Sequence, residues 1–375
     1  MAFEILQHVN PLGTVIKVIG VGGGGGNAID HMISRGAQGV EFIAANTDHQ
    51  ALTRSQASVR IQLGSTGLGA GSRPEVGAAA AMEKRDEIIE AIRGTHLLFI
   101  TAGMGGGTGT GAAPVIAELA KELGILTVGV VTKPFSFEGA RRMRIAQKGI
   151  DNLRDKVDSL IVILNEKLES TTPPDATMKQ CFEISNDVLY KACVGIPDII
   201  NTPGVINVDF EDLRTVMSQR GTAIIGLASA SGENRVRRAA EEAINCPLLE
   251  GTNLQSARGL LVYFTGDDSL TLAEVREAMG VLNTFVHKSA DIIFGSAITP
   301  DMGNEVRVTL VATGLDQTDP NQPDIQVPVM TPPATTRNEP PTLGDAPAAA
   351  TPADKPAQPA APEVPAFEIP PFLNN

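Results

Sequence analysis

Apolar residues in the first half of the chain fall into short runs, and helix-like segments separate several of them. The runs lie at 14–19, 40–45, 95–102, 125–132 and 158–165. Their β-branched content is typical of strands. Because helical segments lie between these strands, the pattern predicts a doubly wound, Rossmann-like α/β sheet whose strands are parallel.

After residue 175 the spacing of apolar residues first becomes helical and then, from about residue 205, alternates. Apolar residues within 176–201 keep helical spacing and predict one long helix. After about residue 205, strands with a period of two alternate with amphipathic helices. The chain therefore predicts an N-terminal extension at 1–13, a larger domain at 14–204 that includes the long helix, and a smaller α/β domain at 205–315.

The last 60 residues differ in composition from everything before them. They contain 15 of the 25 prolines, with eight acidic and two basic residues, a net charge of −6. Such a segment cannot bury enough apolar surface to offset the entropy of ordering, so 316–362 is predicted to be a disordered linker. Large apolar side chains return in 363–375, at Phe367, Ile369, Phe372 and Leu373.

Charge and cysteine content narrow the functional class. The net charge of −13 opposes general binding to nucleic acid or to anionic membranes. Three cysteines without a CxxC spacing argue against a disulfide framework or a structural zinc site and fit a cytoplasmic protein. The first residues lack the pattern of a signal peptide. The uncharged stretch 94–117 contains seven glycines and Pro114, so it is interpreted as strand, loop and helix rather than a membrane span.

The segment GMGGGTGTG at 103–111 places six glycines between a predicted strand and a predicted helix. The N–H groups of such a turn point into one concavity and the helix N-terminus carries partial positive charge, which together favour a phosphate. Thr108 and Thr110 offer hydroxyl donors. Because the lysine of the P-loop pattern is absent, the backbone itself would hold the phosphates. The alternative is that the glycines serve close packing only.

A second glycine loop, GVGGGGGN at 20–27, contains a GxGxxG pattern. In dinucleotide-binding folds an acidic residue follows this pattern by about 20 residues, and Glu41 or Asp48 could fill that position. The pattern is therefore also compatible with a nicotinamide-dependent oxidoreductase. A third glycine cluster lies at 67–75. Three such loops at one edge of a sheet suit a nucleoside triphosphate better than a dinucleotide.

As a set, the motifs GVGGGGGNA, NTD, GLGAG, GGGTGTG, TKPFSFEG and NVDFEDLRTVM resemble the tubulin/FtsZ family of GTPases. The resemblance runs from about residue 15 to 315. It implies a tubulin/FtsZ-like two-domain body, binding of GTP and GDP with Mg²⁺, and head-to-tail assembly into filaments that form the cell-division ring. Hydrolysis would occur between subunits and be activated by polymerisation.

The resemblance also implies which residues contact the nucleotide. The positions that match the family's loops are Gly23, Gly24, Gly25, Gly26, Asn27, Asp48, Gly69, Ala70, Gly71, Gly105, Gly106, Gly107, Thr108, Gly109, Thr110, Glu138, Arg142 and Asn165. Guanine recognition maps to Phe182, Asn186 and Asp187 on the long helix. From the residues alone, Glu138 and Arg142 are better interpreted as an exposed i,i+4 ion pair, and Phe182 as ordinary core.

The segment 207–213 has two interpretations. By spacing alone, Asp209 and Asp212 predict a capping box at the start of a helix. The resemblance implies instead that Asn207, Asp209 and Asp212 reach the GTP of the adjacent subunit and position the attacking water.

The last residues resemble the family's terminal peptide. The resemblance implies that Phe367, Ile369, Phe372 and Leu373 dock on membrane-anchoring division proteins, with division-site regulators as further partners. It places the filament in the cytoplasm at mid-cell, beneath the inner membrane, without direct insertion into the membrane.

Overall fold

The computed structural model describes residues 13–173, 175–201, 204–219, 221–245, 256–287 and 289–315. The predicted linker at 316–362 and the terminal peptide at 363–375 lie outside these residues, as does the N-terminal extension up to residue 12. Within the described ranges, no helix has both the length and the apolar content needed to cross a bilayer.

Six parallel strands form the first part of the sheet, and their order is β3-β2-β1-β4-β5-β6. They are β1 (Ile16–Val21), β2 (Glu41–Asn46), β3 (Val59–Gln62), β4 (Leu97–Gly103), β5 (Leu126–Lys133) and β6 (Ser159–Leu164). The five predicted strands are confirmed. The sixth, β3, was not predicted, because the edge strand VRIQ is short and half polar and carries little apolar signal.

Helices cover both faces of these strands, as the doubly wound prediction requires. They are α1 (Gly22–Ser34), α2 (His49–Arg54), α3 (Pro74–Glu83), α4 (Arg85–Ile92), α5 (Thr108–Glu122), α6 (Ala140–Arg154), α7 (Asn165–Thr171), α8 (Met178–Asn201) and α9 (Phe210–Met217). One buried cluster joins α1 and α8 to one face of the sheet, and a second joins α4, α5 and α6 to the other. The glycine-rich segment 20–27 is only partly a loop, because α1 already begins at Gly22.

Four further strands continue the sheet in the order β7-β10-β8-β9. They are β7 (Thr222–Ser231), β8 (Gly259–Gly266), β9 (Asp291–Ile298) and β10 (Glu305–Thr313), with α10 (Arg235–Ile244) and α11 (Leu272–Phe285) packed on one face. Strand β7 pairs with β6 over two residue pairs only, Leu160 with Thr222 and Ile161 with Ala223. All described residues lie within one compact unit, and the division at 204/205 remains a prediction.

The parallel strands end at two opposite edges of the sheet. The upper edge is defined here by the C-terminal ends of β1, β4, β5 and β6, and the lower edge by their N-terminal ends. Helix α9 lies at the lower edge, because the ring of its first residue, Phe210, meets His96 just before β4 at a centroid distance of 5.9 Å. In addition, Arg214 Nη2 donates to the carbonyl of Gly124, just before β5, at 3.3 Å. The seven residues of β4 separate the two edges by about 23 Å.

A buried arginine ties the smaller part of the fold together. Arg235, at the start of α10, is 4% exposed. Its guanidinium donates to Glu274 Oε1 at 3.1 Å, to Ser269 Oγ at 2.8 Å and to Asn304 Oδ1 at 2.7 Å. It thereby joins α10 to α11, to the segment before α11 and to the turn before β10.

We expect Arg235→Met to lower the free energy of unfolding by about 2–4 kcal/mol, because it leaves several polar partners without their donor. Urea denaturation would measure the change. The matched control is Arg238→Met on the same helix, where the exposed guanidinium donates to the carbonyl of Ser231. Equal effects of the two substitutions would contradict a special role for Arg235.

Candidate functional site

A cavity of about 370 Å³ opens at the upper edge of the sheet. Its size falls within the range of small-molecule sites. The predicted residues that line it are Gly23, Gly24, Asn27, Gly106, Gly107, Thr108, Gly109, Glu138, Arg142, Asn165, Phe182 and Asn186. The fold thus brings together residues from α1, the β4–α5 loop and the start of α5, the β5–α6 connection and the start of α6, the first residue of α7, and α8.

The β4–α5 loop supplies the floor of this cavity. Helix α5 begins at Thr108, so its N-terminal N–H groups and partial positive charge face the space where an anion would sit. Thr108 lines the cavity, and its Oγ1 lies 2.6 Å from Thr47 Oγ1. Thr110 does not line the cavity, and its buried hydroxyl accepts a hydrogen bond from Gly105 N at 2.9 Å, which stabilises the loop.

Close backbone approach explains two of the glycines. A side chain at Gly107 would place its Cβ 2.8 Å from Ala70 Cβ and 2.9 Å from Arg73 N. A side chain at Gly25 would place its Cβ 2.8 Å from the carbonyl carbon of Gly20. Gly107 therefore lines the cavity and also permits close packing of the backbone. The two interpretations of the glycines, phosphate binding and close packing, are compatible at this position. Gly25 is buried and does not line the cavity.

The third glycine cluster lies behind the β4–α5 loop rather than in the cavity. Gly69, Ala70 and Gly71 do not line it, although Ala70 packs against Gly107. Gly69 N donates to the carbonyl of Thr47 at 3.0 Å and fixes the cluster to the end of β2. A γ-phosphate contact by these residues remains a prediction.

A second cavity of about 350 Å³ adjoins the first and shares Gly23 and Asn27 with it. Gly26 and Asp48 line this second cavity instead of the first. Asp48 caps α2, because its Oδ1 accepts from Gln50 N at 2.9 Å and from Ala51 N at 3.3 Å. The structure accounts for Asp48 as a helix cap, and its contact with a nucleotide stays a prediction.

Glu138 and Arg142 form the expected i,i+4 ion pair, at 2.9 Å, and both also line the cavity. Glu138 is held in place by Phe135 N, which donates to its Oε1 at 3.0 Å. The two interpretations offered for this pair are therefore compatible. A carboxylate fixed in this way is positioned to accept hydrogen bonds from hydroxyl groups of a ligand.

Helix α8 closes the cavity with one face, formed by Phe182, Ser185, Asn186 and Leu189. The ring of Phe182 packs edge-on against Phe135 at 5.3 Å and is 41% exposed, so it is not ordinary core. Ser185 Oγ donates to the buried Asn165 Oδ1 at 2.9 Å and anchors the helix to the end of β6.

Asp187 is not brought into this cavity, contrary to its predicted place beside Phe182 and Asn186. It lies on the next face of α8, where its carboxylate pairs with Arg35 and His31 of α1. At about 100° per residue, Ser185, Asn186 and Leu189 all point within about 60° of Phe182, whereas Asp187 points about 140° away from it. Among the three predicted base-contacting residues, the structure therefore places only Phe182 and Asn186 at the cavity.

Helix α9 begins with the predicted capping box. Asp212 N donates to Asp209 Oδ1 at 2.8 Å, and Asp209 N donates to Asp212 Oδ2 at 3.1 Å. Asn207 Oδ1 accepts from Gly204 N at 2.7 Å and stabilises the preceding turn. All three residues lie at the lower edge, on the side of the sheet away from the cavity.

Six further residues line the cavity without being among the individually predicted nucleotide contacts. They are Gly103, Met104, Thr132, Pro134, Ser185 and Leu189. Ser185 and Leu189 could have been found, because they lie three and seven residues after Phe182 and so share its helix face. Gly103 and Met104 belong to the glycine-rich segment 103–111, and Thr132 and Pro134 belong to the motif TKPFSFEG.

Within the described residues, no group of three His, Cys, Asp or Glu side chains is arranged to hold a metal ion. Cys193 is fully buried in α8, and burial raises the pKa of its thiol well above the ordinary value. Cys193 is therefore part of the apolar core.

Comparison with known proteins identifies the family to which the chain belongs. The family model of the Tubulin/FtsZ family, GTPase domain, matches residues 15–173, and that of the FtsZ family, C-terminal domain, matches residues 221–316. The chain belongs to the FtsZ family. Its first part is thus a GTPase domain, for which GTP and GDP are the nucleotides, and no match supports the oxidoreductase alternative.

Curated FtsZ relatives are similar over most of the chain. Cell division protein FtsZ of Pseudomonas putida is 54% identical over 316 residues, which cover 84% of this chain and 79% of the relative. Cell division protein FtsZ of Coxiella burnetii is 53% identical over 313 residues, which cover 83% and 81%. The length of the shared region is close to that of the described body, which precedes the proline-rich tail.

Solved FtsZ structures share the fold. The empty FtsZ dimer of M. jannaschii is 42% identical, with a TM-score of 0.75 over 81% of this chain and 89% of that one. A GTPγS-bound protofilament of CetZ2 from Haloferax volcanii is 21% identical, with a TM-score of 0.70 over 82% and 95%. At that identity the second likeness shows the fold alone.

Proposed function

We propose that the chain is a GTPase that binds GTP in the upper-edge cavity, assembles head to tail into filaments and forms the scaffold of the cell-division ring. Its curated relatives are cell division proteins at more than half identity. One observation carries the proposal for the mechanism. The nucleotide cavity and the carboxylates Asp209 and Asp212 lie at opposite edges of the same sheet.

This separation argues against hydrolysis within one subunit by these carboxylates. A span of about 23 Å cannot be bridged by an aspartate side chain. When the lower edge of one subunit contacts the upper edge of the next, Asp209 and Asp212 come to face the neighbour's cavity. Because the two contact surfaces differ, the interface is heterologous and repeats into a filament.

The capping box fixes the orientation of the Asp209 and Asp212 carboxylates. Each uses one oxygen to accept the other's backbone N–H, and the remaining oxygen of each has no hydrogen-bond partner among the described residues. These oxygens can accept a proton from, or orient, the water that attacks the γ-phosphate. Asn207, two residues before Asp209, adds an amide that can hold the same water. Phosphoryl transfer depends mainly on such positioning and on charge stabilisation.

A magnesium ion would neutralise the phosphates, since the β4–α5 loop lacks a lysine. Mg²⁺ commonly keeps several waters and binds through phosphate oxygens with few protein ligands. The sparse acidic lining of the cavity fits such a site, with Thr108 contributing a hydroxyl from the β4–α5 loop. Bound there, the ion would supply electrostatic stabilisation of the transferring group.

Exposed apolar side chains are present on both proposed contact surfaces. Leu68, 90% exposed, and Phe137, 61% exposed, lie in loops at the upper edge. Val205, 72% exposed, lies in the loop that leads to α9. Large apolar groups left in water at these places favour burial between subunits.

The C-terminal tail, residues 316–375, would connect the filament to other proteins. The residues Phe367, Ile369, Phe372 and Leu373 would dock on membrane-anchoring division proteins, and the linker would tether the filament to them. Division-site regulators would bind the same assembly. The protein would act in the cytoplasm at mid-cell, beneath the inner membrane.

Sedimentation in the presence of Mg²⁺ tests the assembly step. We expect the wild-type chain to pellet with GTP and to stay in the supernatant with GDP or ATP. Pelleting that is equal with all three nucleotides, or absent with GTP, would contradict the proposal.

We expect Phe182→Ala to weaken GTP binding about tenfold, because stacking of a base on an aromatic ring contributes about 1–3 kcal/mol. Fluorescence titration with a labelled GTP analogue would measure the dissociation constant. Phe182→Tyr keeps the ring and should bind within about twofold of the wild type. Unchanged affinity in Phe182→Ala would show that the base lies elsewhere.

A further inference from the structure

Helices α1 and α8 pack against each other, and both contribute residues to the nucleotide cavity. Asn27, His31 and Arg35 recur every fourth residue along α1 and its C-terminal cap, and therefore follow one face of that helix. Asn27 lines the nucleotide cavity. His31 and Arg35 line a separate cavity of about 730 Å³, together with Glu183 and Asp187 of α8.

Asp187 is held from two sides at this separate cavity. Arg35 Nη2 donates to Asp187 Oδ1 at 2.8 Å and to Oδ2 at 3.0 Å. His31 Nε2 lies 2.7 Å from Oδ1. The imidazole is largely buried, whereas the guanidinium is about half exposed. These three residues are called the α1–α8 clamp below.

Within the clamp, Asp187 directly follows Asn186 on α8, and His31 lies one helical turn after Asn27 on α1. The side chains of Asn186 and Asn27 both line the nucleotide cavity. On its other side, Asn186 is preceded by Ser185, which is bonded to the buried Asn165. Both neighbours of Asn186 are therefore fixed to different elements. Rotation of α8 about its axis, or sliding along α1, would have to break one of these contacts.

We propose that Asp187, Arg35 and His31 are positioning residues that set how well the nucleotide cavity distinguishes guanine from other bases. They do so without touching the nucleotide. The clamp keeps Asn186 and Phe182 in register with Asn27, so that the amide groups meet the polar edge of the base. This inference rests on the proposed binding of GTP.

The amide chemistry explains why register matters for specificity. An asparagine both donates and accepts hydrogen bonds. It can pair with guanine only if its oxygen faces the N1–H and 2-amino groups, or its nitrogen faces O6. A small rotation of α8 would lose these pairs while leaving the phosphate contacts of the β4–α5 loop intact. The expected loss is thus in base discrimination more than in phosphate binding.

The test compares dissociation constants of GTP and of ITP, which lacks the 2-amino group. They are measured by competition with a fluorescent analogue on the full chain, below the concentration at which it assembles. We expect the wild type to prefer GTP, and Arg35→Ala and Asp187→Asn each to reduce the GTP:ITP preference about threefold or more. Arg35→Lys should restore part of the preference, because it keeps the charge.

The matched control is Glu183→Gln. Glu183 lines the same cavity one turn before Asp187, and its carboxylate pairs with Lys179 of the same helix at 3.6 Å. This variant should keep the wild-type preference. Thermal unfolding of each variant separates the two possible roles, because a merely structural contact would lower the melting temperature and leave the GTP:ITP preference unchanged.

A wild-type preference that survives both Arg35→Ala and Asp187→Asn would overturn the inference and leave the proposed function intact. A wild type that binds GTP and ITP equally would contradict guanine readout at this cavity, and the inference would fail with it. A wild type that binds neither nucleotide would refute the proposed function itself.

Discussion

Asp212→Asn is expected to lower the GTP turnover number of the assembled protein about 100-fold or more, with GTP affinity within about twofold of the wild type. Positioned proton acceptors contribute about 10²–10⁴ in rate. The introduced amide would keep an oxygen that accepts from Asp209 N, so the helix cap survives while the charge is lost. Phosphate release at saturating GTP and direct titration of GTP would measure the two quantities.

Glu211→Gln is the matched control for this substitution. Glu211 lies beside Asp212 in the first turn of α9, is exposed, and pairs with Arg214 at 3.6 Å on the same helix. Its change should leave turnover within about twofold, because its carboxylate takes no part in the capping box. Equal losses in the two variants would indicate a general effect of charge on assembly, and an unimpaired Asp212→Asn would reduce Asp209 and Asp212 to a helix cap.

Gly107→Ala is expected to weaken GTP binding at least about tenfold. The added Cβ would meet Ala70 and the backbone N of Arg73 at 2.8 and 2.9 Å, so the β4–α5 loop or the loop behind it must move. A shift of this size misaligns the N–H groups that face the phosphates, and each hydrogen bond to a charged group contributes about 1.5–3 kcal/mol. Titration with GTP and with GDP would measure the loss for both nucleotides.

Gly280→Ala serves as the comparison for the glycine substitution. Gly280 lies within α11, and a Cβ there would have no neighbour within 4 Å. This change should leave GTP binding untouched and stabilise the helix slightly, by about 0.5–1 kcal/mol. Normal GTP affinity in Gly107→Ala would show that the loop does not hold the phosphates in the way described.

Much of the fold could be predicted because its strands are apolar and its helices periodic. Strand β4 is buried almost throughout, and α8 keeps helical spacing over its central turns. Strand β3 was not predicted because Arg60 and Gln62 interrupt its apolar pattern. It is the outermost strand of the sheet, where few side chains are buried. The start of α1 was missed because a run of five glycines is a poor helix former by propensity. There, packing of Gly25 against β1 outweighs propensity.

The site was predictable where sequence neighbours stay together in a loop, and less so on helices. Gly106, Gly107, Thr108 and Gly109 all lie at the cavity as expected. Asp187 does not, because adjacency in sequence does not mean a shared helix face. Thr110 also could not be assigned from sequence, since two threonines in one loop look alike until the turn directs one hydroxyl inward.

The family assignment was confirmed by the matches to both FtsZ family models. It came from several short motifs taken together, none of which was sufficient alone. The capping box was confirmed as well.

The most direct test of the account is the rate of GTP hydrolysis per molecule as a function of protein concentration, with Mg²⁺ present. We expect little activity below a threshold concentration and a rise in activity per molecule above it, because each active site needs the lower edge of a second subunit. The threshold should coincide with the onset of pelleting. Activity per molecule that stays constant from dilute to concentrated protein would contradict a site shared between subunits.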